Sequence, residues 1–161
     1  MERRRHTRFW DSDFYIDSNY ETIGIIPESE ELNDMGLSNY SIDDIARLGQ
    51  SWLNAPSISN SSGIIPHGYD KSERAYKLSS TSNNMSFTVD ATSANIGFNP
   101  AFVIKRWGSD NPVKISINGE VQKDGADFKQ GVMVDTDGTE TLIIWLNKKF
   151  TSQLEIKISS I

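Results

Sequence analysis

The sequence predicts an antiparallel β-sandwich, jelly-roll or Ig-like, with one N-terminal helix docked on it. Three observations predict it. From about residue 73 apolar residues recur at every second position, the pairs Asn118-Gly119, Asp124-Gly125 and Asp137-Gly138 mark turns between the runs, and only residues 42–53 show helical spacing instead. The 161 residues favour one domain, or one domain with an appendage, and are enough to bury a sizeable core.

The first stretch, residues 1–56, is mixed and reads as a separate segment or the end of a preceding domain. Residues 1–8 carry four arginines against one glutamate (+3), which leaves −9 on the other 153 residues of a chain whose net charge is −6. The body therefore repels polyanions, and general nucleic-acid binding is not expected. No apolar h-region follows the arginines, so a signal peptide within these residues is not expected. Phe9 to Ile16 alternates aromatics with acids, and Thr22–Ile26 is a short apolar run closed by Pro27. The acidic stretch Glu28, Glu30, Glu31 and Asp34 reads as a solvated loop.

The helix follows. Ser41 stands as N-cap with Asp44 three residues on, the spacing of a capping box. Ile42, Ile45, Leu48, Trp52 and Leu53 define one apolar face, and Pro56 stops the helix. One amphipathic helix of this length is marginal alone, so it is expected to dock on something. Residues 57–72, beginning Ser57-Ile58-Ser59-Asn60-Ser61-Ser62-Gly63, read as a polar connection.

Residues 73–161 are the predicted sandwich. Met85, Phe87 and Val89 alternate with Ser86, Thr88 and Asp90; Val113, Ile115 and Ile117 with Lys114, Ser116 and Asn118; Leu154, Ile156 and Ile158 with Glu155, Lys157 and Ser159. Such strands have one buried and one wet face. Phe102–Ile104 and Leu142–Leu146 are nearly continuous apolar runs and suit central strands covered on both faces. Asn118-Gly119 predicts a two-residue hairpin, because both central residues must take positive φ.

Composition removes several chemistries. There is no cysteine, so disulfides, thiolate zinc sites and thiol nucleophiles are absent. Two histidines, His6 and His67, cannot build a multi-histidine metal centre. No apolar run reaches the roughly 20 residues of a membrane helix, so no membrane span is expected. Nucleophile-elbow, phosphate-loop and dinucleotide fingerprints are also missing.

The remaining candidates are few. His67, Tyr69 and Arg74 fall in one polar segment, Pro66–Tyr76, and have the residue types that uronate β-elimination needs, a base and a cation for the carboxylate. The plainer reading pairs Glu73 with Arg74 or a neighbour and packs both tyrosines on the sandwich. Asp135 and Asp137 are the only calcium candidates, and a β-turn explains them better because the EF-hand spacing is missing. No other cofactor is expected. Trp107, with Asp110 and Asn111 in the loop after it, is the candidate carbohydrate site, since an exposed indole stacks on a sugar face. Stacking and core capping weigh equally for Trp107. Trp52 and Trp145 read as core, and Trp10 sits among acids.

Asn99-Pro100-Ala101-Phe102-Val103-Ile104-Lys105-Arg106-Trp107-Gly108, then Ile117-Asn118-Gly119-Glu120, Asp127–Gly131 and Asp137-Gly138 through Leu142–Leu146, resembles the C-terminal β-sandwich of multidomain bacterial carbohydrate-active enzymes. The pattern covers residues 64–161. The resemblance implies an accessory module of a secreted or periplasmic polysaccharide lyase or glycoside hydrolase, cut from a longer precursor. Its partners would be a polysaccharide or oligosaccharide and an adjacent catalytic domain. Three readings stand at this point: a non-catalytic carbohydrate-binding module, the catalytic part of a lyase acting on uronate-containing glycans, and a structural or protein-interaction sandwich without ligand.

Overall fold

The computed structural model describes residues 41–161 and two short antiparallel strands, β1 (Thr7–Arg8) and β2 (Tyr15–Ile16). Trp10, the arginine-rich start and the acidic stretch Glu28–Asp34 lie outside the described residues, apart from Thr7 and Arg8. The chain divides into two compact units, Met1–Ala46 and Arg47–Ile161, the boundary falling within α1 (Ile42–Leu53).

The α1 N-terminus is capped as its residues predict. The Asp44 amide donates to Ser41 Oγ at 3.1 Å, and the Ser41 hydroxyl donates to Asp44 Oδ2 at 3.1 Å. Leu48 and Ser51 are buried and Ile45 and Trp52 half-buried, but Ile42 and Leu53 are exposed. At 100° per residue, Ile42 and Leu53 stand about 120–140° around the helix from Leu48, off the edge of the buried arc. The apolar face is thus narrower than the spacing suggests. The helix end is fastened to the sandwich: the Arg74 guanidinium lies 4.5 Å from the Trp52 ring centre, and the Tyr76 hydroxyl donates to the Pro56 carbonyl at 2.7 Å.

Two five-stranded sheets follow. The first runs β10 (Glu120–Val121), β9 (Val113–Ile117), β14 (Leu154–Ser160), β6 (Asn84–Val89), β3 (Ile58–Ser62). The second runs β11 (Phe128–Val134), β12 (Glu140–Leu146), β8 (Ala101–Lys105), β5 (Ala75–Ser80), β4 (Ile64–Asp70). A small ladder pairs β7 (Gly97–Phe98) with β13 (Lys149–Phe150). Gly97 is required there, because the Phe150 ring occupies the place of any Cβ.

The inward residues of both sheets form one core, with Met85, Phe87, Val89, Ile115, Ile117, Ile156 and Ile158 from the first meeting Tyr76, Phe102, Ile104, Leu142, Ile144 and Leu146 from the second. Phe87 and Phe102 meet across the gap with ring centres 5.2 Å apart, and Tyr76 stacks on Phe102 at 5.2 Å. Gln130 adds a polar link, accepting from the Val113 amide at 2.8 Å and donating to Asp124 Oδ2 at 2.7 Å. The sandwich with one helix is therefore the fold, and the three alternating runs are β6, β9 and β14 in adjacent register.

Two expectations are corrected. Residues 57–72 are not a connection: they hold β3 and β4, one strand in each sheet, and the chain changes sheet at Gly63. Gly63 has φ +72° and lies against the Asn84 carbonyl, so only glycine makes that step. Serines and asparagine read as linker because β3 is an exposed edge strand, bent by a bulge between Ser59 and Ser62. The sandwich accordingly starts near residue 58. Its sheets are also not wholly antiparallel, since β5 and β8 run parallel. The chain leaves the second sheet after β5, visits the first in β6, and returns beside β5 in the same direction.

Candidate functional site

The positions singled out from sequence do not assemble as expected. Trp107 is 0% exposed and belongs to the core. The cause is local: Arg106 takes φ 58°, a left-handed turn that breaks the alternation of β8 and swings the indole inward. Buried on every side, Trp107 offers no face on which a sugar could stack, contrary to the expectation for a carbohydrate site there. Asp110 and Asn111 are exposed, in a loop where the Asn111 amide donates to Ser109 Oγ at 3.1 Å, but without an aromatic platform. Trp107 Nε1 is buried with no hydrogen-bond partner among the described residues, as is Thr141 Oγ1. Trp145, read as core, lies half-buried on the outer face of β12, with Lys129 Nζ 5.3 Å from its ring centre.

Of His67, Tyr69 and Arg74, the structure keeps Tyr69 and Arg74 as neighbours and separates His67 from them. A bulge between Pro66 and Gly68 shifts the register of β4 on β5. His67 Nε2 then contacts Ser79 Oγ at 2.8 Å on the outer face, whereas Tyr69 packs against the core, edge-on to Tyr76 at 5.0 Å. Burial pushes the Tyr69 phenol well above its ordinary range, with the Arg74 charge opposing weakly. A base needs the reverse shift. Arg74, drawn downward by its own burial, sits over Trp52 rather than towards His67. Glu73 pairs with Lys77, not Arg74.

Asp135 and Asp137 form the turn that the plainer reading describes. Asp137 Oδ1 accepts from the Thr139 hydroxyl at 2.7 Å and amide at 3.0 Å, which holds its carboxyl below the usual range. Asp135 Oδ2 faces Lys105 Nζ at 3.3 Å. Both carboxylates already have partners, and among the described residues no group of three or more acidic or histidine side chains gathers for a metal.

A different surface has the shape of a site. The outer face of the first sheet carries a shallow trough of about 440 Å³, lined by Ser62, Asn84, Ser86, Lys114, Ser116, Lys157 and Ser159 among others. Register explains the cluster. Ser86 and Ser116 flank Lys157 directly on the neighbouring strands, and Asn84 and Lys114 flank Ser159 one step along. Each strand points its apolar residues inward, so hydroxyls, an amide and two ammonium groups must share the outside. The lining contains no carboxylate, but Glu155 pairs with Lys157 at 3.2 Å. Its cations are thus Lys114 and a Lys157 shared with Glu155, on a chain of net charge −6.

Chemically the trough suits a ligand rich in hydroxyls with an anionic group: serines and Asn84 both donate and accept, and the lysines supply charge. In the sequence Ser86, Lys114, Ser116, Lys157 and Ser159 stand out only as wet strand positions. Two lysines at outward positions of separate strands were the available signal, but pairing order decides whether they meet. Compared with protein-family models, curated proteins and solved structures, the chain has no significant match. Among the described residues no helix is long and apolar enough to cross a membrane.

Proposed function

We propose that this protein is a non-catalytic carbohydrate-binding or accessory β-sandwich, and that an acidic oligosaccharide occupies the trough of the first sheet. The observation that carries the reading is the convergence of Lys114, Lys157, Ser86, Ser116, Ser159 and Asn84 in one open depression. Hydroxyls and amides match the hydrogen-bonding pattern of a sugar, and the two ammonium groups favour a carboxylate or sulfate on it. The sequence resemblance to accessory sandwiches of secreted polysaccharide-degrading enzymes supports the same class. The lyase alternative, with His67 or Tyr69 as base and Arg74 as carboxylate partner, is the weaker reading, because His67 contacts Ser79 on the outer face and burial pushes the Tyr69 phenol up, against a role as base.

The experiment is calorimetric titration with oligouronates and, in parallel, neutral glucan oligosaccharides. Oligouronates should bind, more weakly as salt is raised, and Lys114→Ala with Lys157→Ala should reduce affinity about tenfold or more at an unchanged melting temperature. Equal affinity for neutral and acidic sugars would overturn the charge assignment. Absence of binding to either class would remove the proposal.

A further inference from the structure

The four edges of the two five-stranded sheets are not alike. β10 has two residues. β3 is bulged between Ser59 and Ser62, with Asn60 at φ 47°. β4 is bulged between Pro66 and Gly68, and Pro66 has no amide hydrogen to offer. Short length, bulges and proline are the devices by which sheets refuse another strand. β11 has none of them: its seven residues pair with β12 in unbroken register, and it ends in Met133 and Val134, 51% and 67% exposed.

The direction of its free groups follows from the neighbouring bonds. The Phe128 carbonyl accepts from the Gly125 amide at 2.8 Å, and the opposite Leu146 amide donates to Pro100 at 3.0 Å, so these two paired residues face away from each other. In an antiparallel ladder bonding alternates. Lys129, Gly131 and Met133 therefore bond to β12, and Gln130, Val132 and Val134 turn their backbone N–H and C=O groups outward. The Asp135 amide, bonded to the Thr139 carbonyl at 2.8 Å, continues the same alternation.

We infer that β11 pairs antiparallel with β11 of a second copy of this chain, about a two-fold axis at Val132. In that register Val132 exchanges both backbone bonds with its own copy, and Gln130 does so with Val134 of the second copy. The side chains are self-complementary. Met133 comes opposite Gly131, which has open space where a side chain would stand. Lys129 comes opposite Asp135, at both ends of the pairing. Val132 meets Val132 on the inner side. No like charges face each other, which is what an isologous interface requires. This surface lies on the second sheet and does not depend on the trough.

Sedimentation velocity on the full chain across a concentration series tests it, with Val134→Pro and Gly131→Lys as variants. Val134→Pro removes an outward amide hydrogen without touching a bond to β12, and Gly131→Lys fills the seat of Met133. The chain should dimerise reversibly, and each variant should weaken dimerisation about tenfold or more while melting of the dilute monomer is unchanged. Should Val134→Pro lower that melting, Gly131→Lys decides alone. A chain that stays monomeric at high micromolar concentration, or a dimer indifferent to Gly131→Lys, overturns the inference.

Discussion

The two sheets share one core and differ on their outer faces. Outward positions of β6, β9 and β14 in the first sheet are Asn84, Ser86, Thr88, Lys114, Ser116, Glu155, Lys157 and Ser159, all polar. Those of β8 and β12 in the second include Val103, Ile143 and Trp145. The first sheet is solvated outside, and its strands show a clean period of two. The second has apolar residues on both faces of its central strands, and its period dissolves into continuous runs. A polar outer face is free to hold a polar ligand, whereas an apolar one must be covered by other atoms.

Trp107 breaks the comparison most sharply. It follows β8 of the second sheet, and regular alternation would place it on the outer face with Lys105. If the left-handed Arg106 turns it into the core, Trp107→Ala should cost about 3–5 kcal/mol, because a large cavity opens among residues from both sheets. Thermal and urea melts measure this directly. Trp107→Phe should cost much less than Trp107→Ala, since it also removes the buried indole N–H that has no partner. A small loss for Trp107→Ala would return the residue to the surface.

The outer faces themselves supply the next comparison. Val103 is 8% exposed although it points away from the core, and Ser86 holds the equivalent outward role on β6. Val103→Asp should destabilise by about 2–3 kcal/mol, because a carboxylate would lose its water there. Ser86→Asp should change stability by no more than about 0.5 kcal/mol, and it should weaken binding of an acidic ligand by cancelling nearby lysine charge. Similar stability losses at the two sites would mean that the sheets do not differ outside.

These contrasts explain what was legible in sequence. β6, β9 and β14 could be read residue by residue, because Met85, Val113 and Leu154 each begin a strict inward–outward alternation. The Asn118-Gly119 hairpin was equally plain, and the structure gives φ values of 49° and 87° there. β3 and β4 were hidden by their edge position, which tolerates serine and asparagine and replaces alternation with bulges. The side of Trp107 was hidden by a single non-glycine residue in left-handed conformation, which no hydropathy pattern records. The trough was hidden for another reason. Its lysines are 43 positions apart in the chain, and only the pairing of β9 with β14 brings them to one face.

The smallest effect concerns the turns. Two hairpins of the second sheet are closed by carboxylates: Asp70 accepts from the Ser72 hydroxyl and from the Ser72 and Glu73 amides, and Asp137 from the hydroxyl and amide of Thr139. The hairpin of the first sheet uses an uncharged amide, Asn118 Oδ1 accepting from the Glu155 amide at 2.9 Å. The Ser72 hydroxyl first, then the Glu73 and Ser72 amides, hold Asp70 below the usual carboxylate range, and the Thr139 hydroxyl does the same for Asp137. A depressed folded pKa means a contribution fully present above the unfolded value, near 3.9, and lost as pH falls through the lower folded value. Amide exchange at Ser72, Glu73 and Thr139 should therefore gain protection-lowering openings below about pH 4, relative to the chemical exchange rate, before global unfolding. The amides of Asn118 and Glu155 should not, because Asn118 has no proton to gain in that range. Because Asp137 is exposed and Asp70 only half-buried at the sheet end, the change should be confined to the turns and leave the core strands protected. Acid opening of the Asn118 hairpin in step with the other two would show that the carboxylates do not govern it.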